Sequence, residues 1–136
     1  MAILKIEHLG IAVNDATAAR KTFELLLGKE AYKEEPVVSE SVNTIFYELG
    51  ESKLELLEAT NDSSAIAKYL TKNRPGIHHM ALLVDDIYTE IERLQGLGFQ
   101  FINPEPKEGA DNKLIAFIHP KSAGGILLEL CQERKG

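Results

Sequence analysis

The chain contains the same pattern twice. Laid over "IHHMALLVDD" (77–86), the stretch "IEHLGIAVND" (6–15) matches at a shift of 71 positions, which carries His8 onto His79, Val13 onto Val84 and Asp15 onto Asp86. The same shift pairs Phe23 with Leu94, Leu26 with Leu97, and Phe46 of "TIFYELG" with Phe117 of "IAFIHPK". Past the next turn "KLELLE" meets "LLELCQ", pairing Glu55 with Glu129, after an insertion in "PKSAGG". A repeat of this length means one supersecondary module used twice, so any fold must bury two equivalent apolar faces.

Each copy has the same order of elements. A strand, about 3–13 or 77–84, ends at an Asn or Asp able to cap a helix. Ala19, Phe23, Leu26 and Leu27 keep the helical period in copy one, and Ile87, Ile91 and Leu94 keep it in copy two. Gly28 and Gly98 supply the stops. A short, weakly signalled strand follows, then two clearer ones at about 42–49 and 53–58, or 113–119 and 125–131. The turns between them, "LGESK" and "HPKSAGG", have hairpin chemistry. The reading is α+β, two tandem βαβββ modules in a single domain. Module one is about 1–60 and module two about 76–136. Between them a linker, about 61–75, holds a helix over about 63–72 that Asp62 or Ser63 could cap and Pro75-Gly76 follows.

Strand parity sorts the ionisable residues, because successive side chains point to opposite faces. His8 shares a face with Ile6, Gly10 and Ala12, leaving Leu9, Ile11 and Val13 to pack on the helices. His79 shares its face with Ile77, Ala81 and Leu83. His78 points the other way, with Met80, Leu82 and Val84, and reads as a structural residue near the start of its strand. Glu55 and Glu129 are each flanked by leucines on both sides. A carboxylate in such a strand is costly unless paired. Taken singly, each of these residues has a plain structural explanation, as a core histidine or an edge-strand glutamate. Four of them in register do not. If the two half-sheets fold towards each other, His8, Glu55, His79 and Glu129 converge into a mixed nitrogen and oxygen site for one divalent metal ion, with positions left open for water or substrate. Without thiolates, Co, Mn, Ni, Fe or Zn in an open site fits better than a structural zinc.

Composition narrows the class. With 136 residues, 44% hydrophobic and 26% charged, the chain has the make-up of one ordinary globular domain. The net charge of −6 argues against nucleic acid, which requires a basic face. No stretch approaches the roughly 18 apolar residues of a membrane span. One cysteine, Cys131, excludes an internal disulfide and fits a reducing, cytoplasmic setting. A Gly-rich phosphate loop, a CxxC pair and a GxSxG elbow are all missing from the sequence.

The duplicated module with His and Glu at these positions resembles the vicinal oxygen chelate superfamily. Within it, "HLGIAV", "KLELLEA", "IAKYL", "GIHHMALLVDDI" and "FIHPKSAGGILLEL" resemble the methylmalonyl-CoA epimerase family over nearly the whole chain. The H-L-G-I-A-V start is weakly specific; the pairing of G-I-H-H with H-P-K-S-x-G-G-x-L-x-E-L is much more so. The resemblance implies a glyoxalase-like fold whose sheets form a metal-binding cup. It implies a metal held by His8, Glu55, His79 and Glu129, with Co2+ first among Co2+, Mn2+, Ni2+, Zn2+ and Fe2+. The family often has Gln at the second position, so Glu55 makes the site more anionic.

The activity so implied interconverts (2R)- and (2S)-methylmalonyl-CoA through proton transfer at C2 and a metal-stabilised enolate. Proton transfer on two faces needs two acid/base groups. The resemblance makes Glu129 one of them, as well as a ligand. At the position of a glutamate assigned as the other base in some relatives stands Thr44, leaving Glu40 and Glu48 as candidates. Lys121 and Ser122, in the turn inserted in copy two, are the expected contacts to the acyl-CoA. Relatives imply a homodimer. The competing readings are an enzyme like glyoxalase I, acting on a glutathione hemithioacetal, and a metal-free binding or resistance protein on the same fold.

Overall fold

The computed structural model describes residues 2–134. The element order is β1 (Ile3–Ala12), α1 (Ala16–Leu27), β2 (Lys33–Val37), β3 (Val42–Leu49), β4 (Ser52–Ala59), α2 (Ala65–Lys72), β5 (Gly76–Val84), α3 (Ile87–Gly96), β6 (Lys107–Gly109), β7 (Lys113–Ile118) and β8 (Leu128–Glu133). This is βαβββ twice, joined by one helix, as the repeat requires. Backbone contacts divide the chain into two compact units, residues 9–78 and residues 1–8 with 79–136. The divisions fall inside β1 and β5.

In the unit 9–78, β2, β3 and β4 form an antiparallel meander. Leu49 pairs with Ser52 across a two-residue turn. Gly50 takes φ 64° there, a left-handed conformation for which glycine pays no steric penalty. The Asp15 carboxylate accepts from the N–H groups of Thr17 and Ala18, satisfying two orphan donors at the start of α1. Gly28, at φ 69°, closes its C-terminus through a hydrogen bond to the Glu24 carbonyl. The helix lays Ala16, Ala19, Phe23 and Leu27 on Ile45, Tyr47, Leu54 and Leu56. Leu26, expected in that stripe, is 73% exposed. The inward stripe runs at a spacing of four from Ala19 through Phe23 to Leu27, so Leu26 falls beside it.

The opposite face of the meander carries Val42, Thr44, Phe46 and Glu48 on β3, paired with Ala59, Leu57, Glu55 and Lys53 on β4. One end of this face is covered by α2, through Ile66, Tyr69 and Leu70 against Val42 and Leu57. The cap of α2 is Ser64, whose hydroxyl accepts from Ile66 N–H, rather than Asp62 or Ser63. Asp62 and Ser63 instead belong to the preceding turn, where Asn61 accepts from Ser63. The ring of His78, at the start of β5, meets that of Tyr69 edge-on, centroids 5.0 Å apart.

In the other unit, β5 runs parallel to β8, with β7 antiparallel to β8 and short β6 beyond it. The Asp86 side chain caps α3 by accepting from Tyr88 and Thr89 N–H. Ile87, Ile91 and Leu94 pack on Leu82, Val84, Ala116, Ile118 and Leu130. Full burial of each such side chain is worth about 1.5–3 kcal/mol, so this helix face is held chiefly by the hydrophobic effect. The sheet face turned away from α3 carries Ala81, Leu83, Ile115, Phe117 and Cys131. Strand β8 begins at Leu128, three residues later than the pattern implied. Pro120–Ala123 form a 3-10 turn, and Gly124 and Gly125 then take φ 65° and 90°, which no extended strand accommodates.

Candidate metal centre

Strand pairing sets the site. In the β5–β8 ladder Ala81 lies opposite Glu129, and in the β7–β8 ladder Phe117 lies opposite Glu129. Glu129 therefore shares a face with His79, two residues before Ala81. His79 Nε2 is 3.1 Å from Glu129 Oε1. From the first strand, His8 Nε2 reaches to 3.1 Å from His79 Nε2 and 3.6 Å from Glu129 Oε1. The two imidazoles meet edge-on, centroids 5.2 Å apart, and the Phe117 ring stands edge-on to His79 at 5.7 Å. His8, His79 and Glu129 are 5%, 7% and 4% exposed, so this polar cluster is buried.

Two ring nitrogens and a carboxylate oxygen aimed at one point could hold a metal ion. A first-row divalent ion bonds nitrogen and oxygen at about 2.0–2.2 Å, which puts neighbouring ligand atoms about 2.8–3.6 Å apart. The three separations fit that spacing. The donor set, neutral imidazole with carboxylate and no thiolate, suits Co, Mn, Ni, Fe or Zn. Burial works to raise the Glu129 carboxyl, but hydrogen bonds and charge from His79 and His8 outweigh it and hold the group well below the usual carboxylate range. Glu129 is then ionised, as a ligand must be.

Glu55, the fourth expected ligand, belongs to the other unit. It lies on β4 opposite Phe46, 4% exposed, on the face turned away from α1. Its burial in a leucine-flanked strand is the costly arrangement inferred from sequence.

Two residues near His8 were missed. The Glu7 carboxylate accepts from His8 Nδ1 at 2.6 Å, and Lys113 Nζ stands 4.0 Å from Glu7 Oε2. Both are buried, at 3% and 4% exposure. Strand alternation hides Glu7, because it assigns neighbouring residues to opposite faces. Lys113 reads in sequence as an ordinary charge at the start of a strand.

Comparison with known proteins locates this arrangement. Residues 7–117 match the Glyoxalase/Bleomycin resistance protein/Dioxygenase superfamily. The chain is 38% identical over 130 residues to ethylmalonyl-CoA/methylmalonyl-CoA epimerase of Cereibacter sphaeroides, covering 94% of this chain and 97% of the relative. It is 35% identical to the mitochondrial methylmalonyl-CoA epimerase of Bos taurus, over 94% of this chain and 74% of that one. The crystal structure of methylmalonyl-CoA epimerase from Mycobacterium tuberculosis superposes with a TM-score of 0.93 at 31% identity, covering 98% of this chain and 90% of that one. The chain belongs to the methylmalonyl-CoA epimerase family of this superfamily.

The fold is the glyoxalase-like α+β fold that the resemblance implied. The remaining candidate residues fall into distinct places. Lys121 is exposed in the 3-10 turn before β8. Ser122, half-buried in the same turn, accepts through its hydroxyl oxygen from Gln100 N–H at 2.9 Å. His119 caps this turn by accepting from Lys121 N–H, a structural task. Glu48 is exposed at the end of β3, opposite Lys53 and on the face of Phe46 and Glu55. Glu40 is half-buried in the 3-10 turn Val38–Glu40. Thr44 is buried on β3 opposite Leu57. Among the described residues no helix is long and apolar enough to cross a membrane.

Proposed function

We propose that this chain interconverts (2R)- and (2S)-methylmalonyl-CoA with the help of one divalent metal ion. The meeting of His8, His79 and Glu129 at ligand spacing, in a chain of the epimerase family, carries the reading. Glu55 completes the ligand set, supported by its burial and by its place in the repeat. Removal of the C2 proton pushes negative charge onto the thioester oxygen, and the charge must be met there if the barrier is to fall. His8, His79, Glu129 and Glu55 would hold a divalent ion, Co2+ being the first choice among first-row ions, and that ion would supply Lewis acidity for the charge that develops.

Glu129 transfers the proton on one face of C2, and Glu48 or Glu40 on the other. Glu48 has the better support, since it shares its strand face with Phe46 and Glu55. Phe117 stands edge-on to His79 on the histidine side of the site. Lys121 contacts a phosphate of the coenzyme, its exposed ammonium free of the crowding that burial imposes, and the Ser122 hydroxyl proton is the neighbouring donor. The enzyme is a single-domain cytoplasmic homodimer on this reading. The exposed apolar residues Ile3, Leu4 and Ile6 of β1 support self-association.

The test is proton NMR of methylmalonyl-CoA in D2O, following C2–H with the cobalt-loaded protein and with protein stripped by a chelator. Metal-dependent loss of the C2–H signal, well above the spontaneous rate, is expected. No acceleration with Co2+ shown to be bound rejects the activity.

A further inference from the structure

We propose that Glu7 is a positioning residue that sets the tautomer and orientation of His8, and that Lys113 holds Glu7 in place for that task. The inference rests on the metal-site reading above. A carboxylate has no proton to give, so the 2.6 Å contact between Glu7 Oε1 and His8 Nδ1 puts the imidazole proton on Nδ1. Nε2 then presents its lone pair to the point shared with His79 Nε2 and Glu129 Oε1, at 3.1 and 3.6 Å. This is the form a metal ligand needs. A carboxylate on the far nitrogen also raises the basicity of the coordinating one.

Holding a carboxylate at 3% exposure requires compensation, and the Lys113 ammonium at 4.0 Å from Oε2 provides it. Lys113 does not depend on Glu7 for its own neutralisation. It lies 3.0 Å from Glu133 Oε1 and 3.9 Å from Asp111 Oδ2, and donates to the Asp111 carbonyl at 3.2 Å. Glu7 is therefore the one of the three acidic neighbours whose other oxygen serves His8. The repeat sharpens the point. The position equivalent to Glu7 in copy two is His78, which meets Tyr69 instead. The two histidine ligands thus differ in their chain neighbours, a carboxylate before His8 and an imidazole before His79.

Two measurements test this, neither of them activity. Long-range 1H–15N correlation spectra of the metal-free protein report which ring nitrogen of His8 carries the proton, and absorption titration with Co2+ alone reports affinity. The wild type is expected to show the Nδ1–H form. Glu7→Ala is expected to shift His8 towards Nε2–H and to weaken Co2+ binding by about 10–100-fold. Glu7→Gln keeps the size and an acceptor oxygen, so it retains the tautomer with a smaller loss of affinity, and it serves if the alanine variant fails to fold. An Nε2–H form in the wild type, or unchanged Co2+ affinity in a folded Glu7→Gln or Glu7→Ala protein, overturns the proposal. A wild type that binds no Co2+ rejects the metal reading by itself, and the tautomer spectra still decide the role of Glu7.

Discussion

Glu129 Oε1 on β8 lies 3.1 Å from His79 Nε2 on β5 because the two strands run parallel in a register that sets Glu129 beside Ala81. A shift of one residue would send the carboxylate to the face packed on α3, among Leu82, Ala116 and Leu130. The register that buries the apolar core is thus the register that builds the site.

Metal binding should therefore stabilise the fold through this contact. Co2+ at about 100 times its dissociation constant adds about 2.7 kcal/mol of stability, which raises Tm by several degrees for a chain of this size. Glu129→Gln and His79→Ala should each remove most of that increase. Thermal unfolding with Co2+ and with a chelator measures it, and an equal Co2+ shift in both variants would show the ion bound elsewhere.

The proposed second acid/base is Glu48 or Glu40. Thr44, buried opposite Leu57, carries an alcohol that does not ionise near neutral pH, and Glu48 is the acid/base proposed in its place. Glu48→Gln should lower kcat by about 10²–10⁴-fold, the usual worth of a general base, with Co2+ content unchanged. Glu40→Gln is the alternative. Normal turnover in both variants rejects both residues.

Lys121 and Ser122 are neighbours with different expected tasks. Lys121→Ala should raise the KM for the CoA ester several-fold with little change in kcat, and the effect should shrink as salt rises. Ser122→Ala removes the acceptor of Gln100 N–H and should cost about 0.5–1.5 kcal/mol of stability, read by urea unfolding. An unchanged KM in Lys121→Ala removes that residue from the binding site.

The cap of α3 should show in acid. The Asp86 carboxyl is held below its ordinary value by the backbone N–H of Thr89, then by its hydroxyl and by Tyr88 N–H. A group whose pKa is lowered by folding contributes stability above its unfolded pKa, near 4, and loses it as pH falls through the folded value. Asp86→Asn should therefore flatten the loss of stability below about pH 4, an effect absent at pH 7 apart from a constant offset. Urea midpoints from pH 2 to 7 measure it. Parallel acid slopes in wild type and variant would show that the cap does not titrate in this way.

The repeat made the architecture legible. Its helix starts at Asp15 and Asp86, its stop at Gly28 and the face that His79 shares with Ala81 all follow from local chemistry and from strand period, and the structure has them as read. The errors fall where local signals compete. Ser63 and Ser64 have the same capping chemistry, and the cap is Ser64, in the helix that packs Ile66 against Val42 and Leu57. The 3-10 turn at Pro120–Ala123 displaced the start of β8 because Gly124 and Gly125 permit left-handed backbone that a hairpin signal does not distinguish.

From the sequence alone came the duplicated βαβββ module and the equivalence of His8 with His79 and of Glu55 with Glu129, because period and repeat are properties of one dimension. The tertiary structure decided which atoms meet. It put His8 Nε2, His79 Nε2 and Glu129 Oε1 at ligand spacing, and it joined Lys113 to Glu7 and Glu7 to His8. Contacts of that kind depend on register between strands far apart in the chain, and on side chains that bend around the strand they belong to. Neither is encoded in the alternation of any single segment.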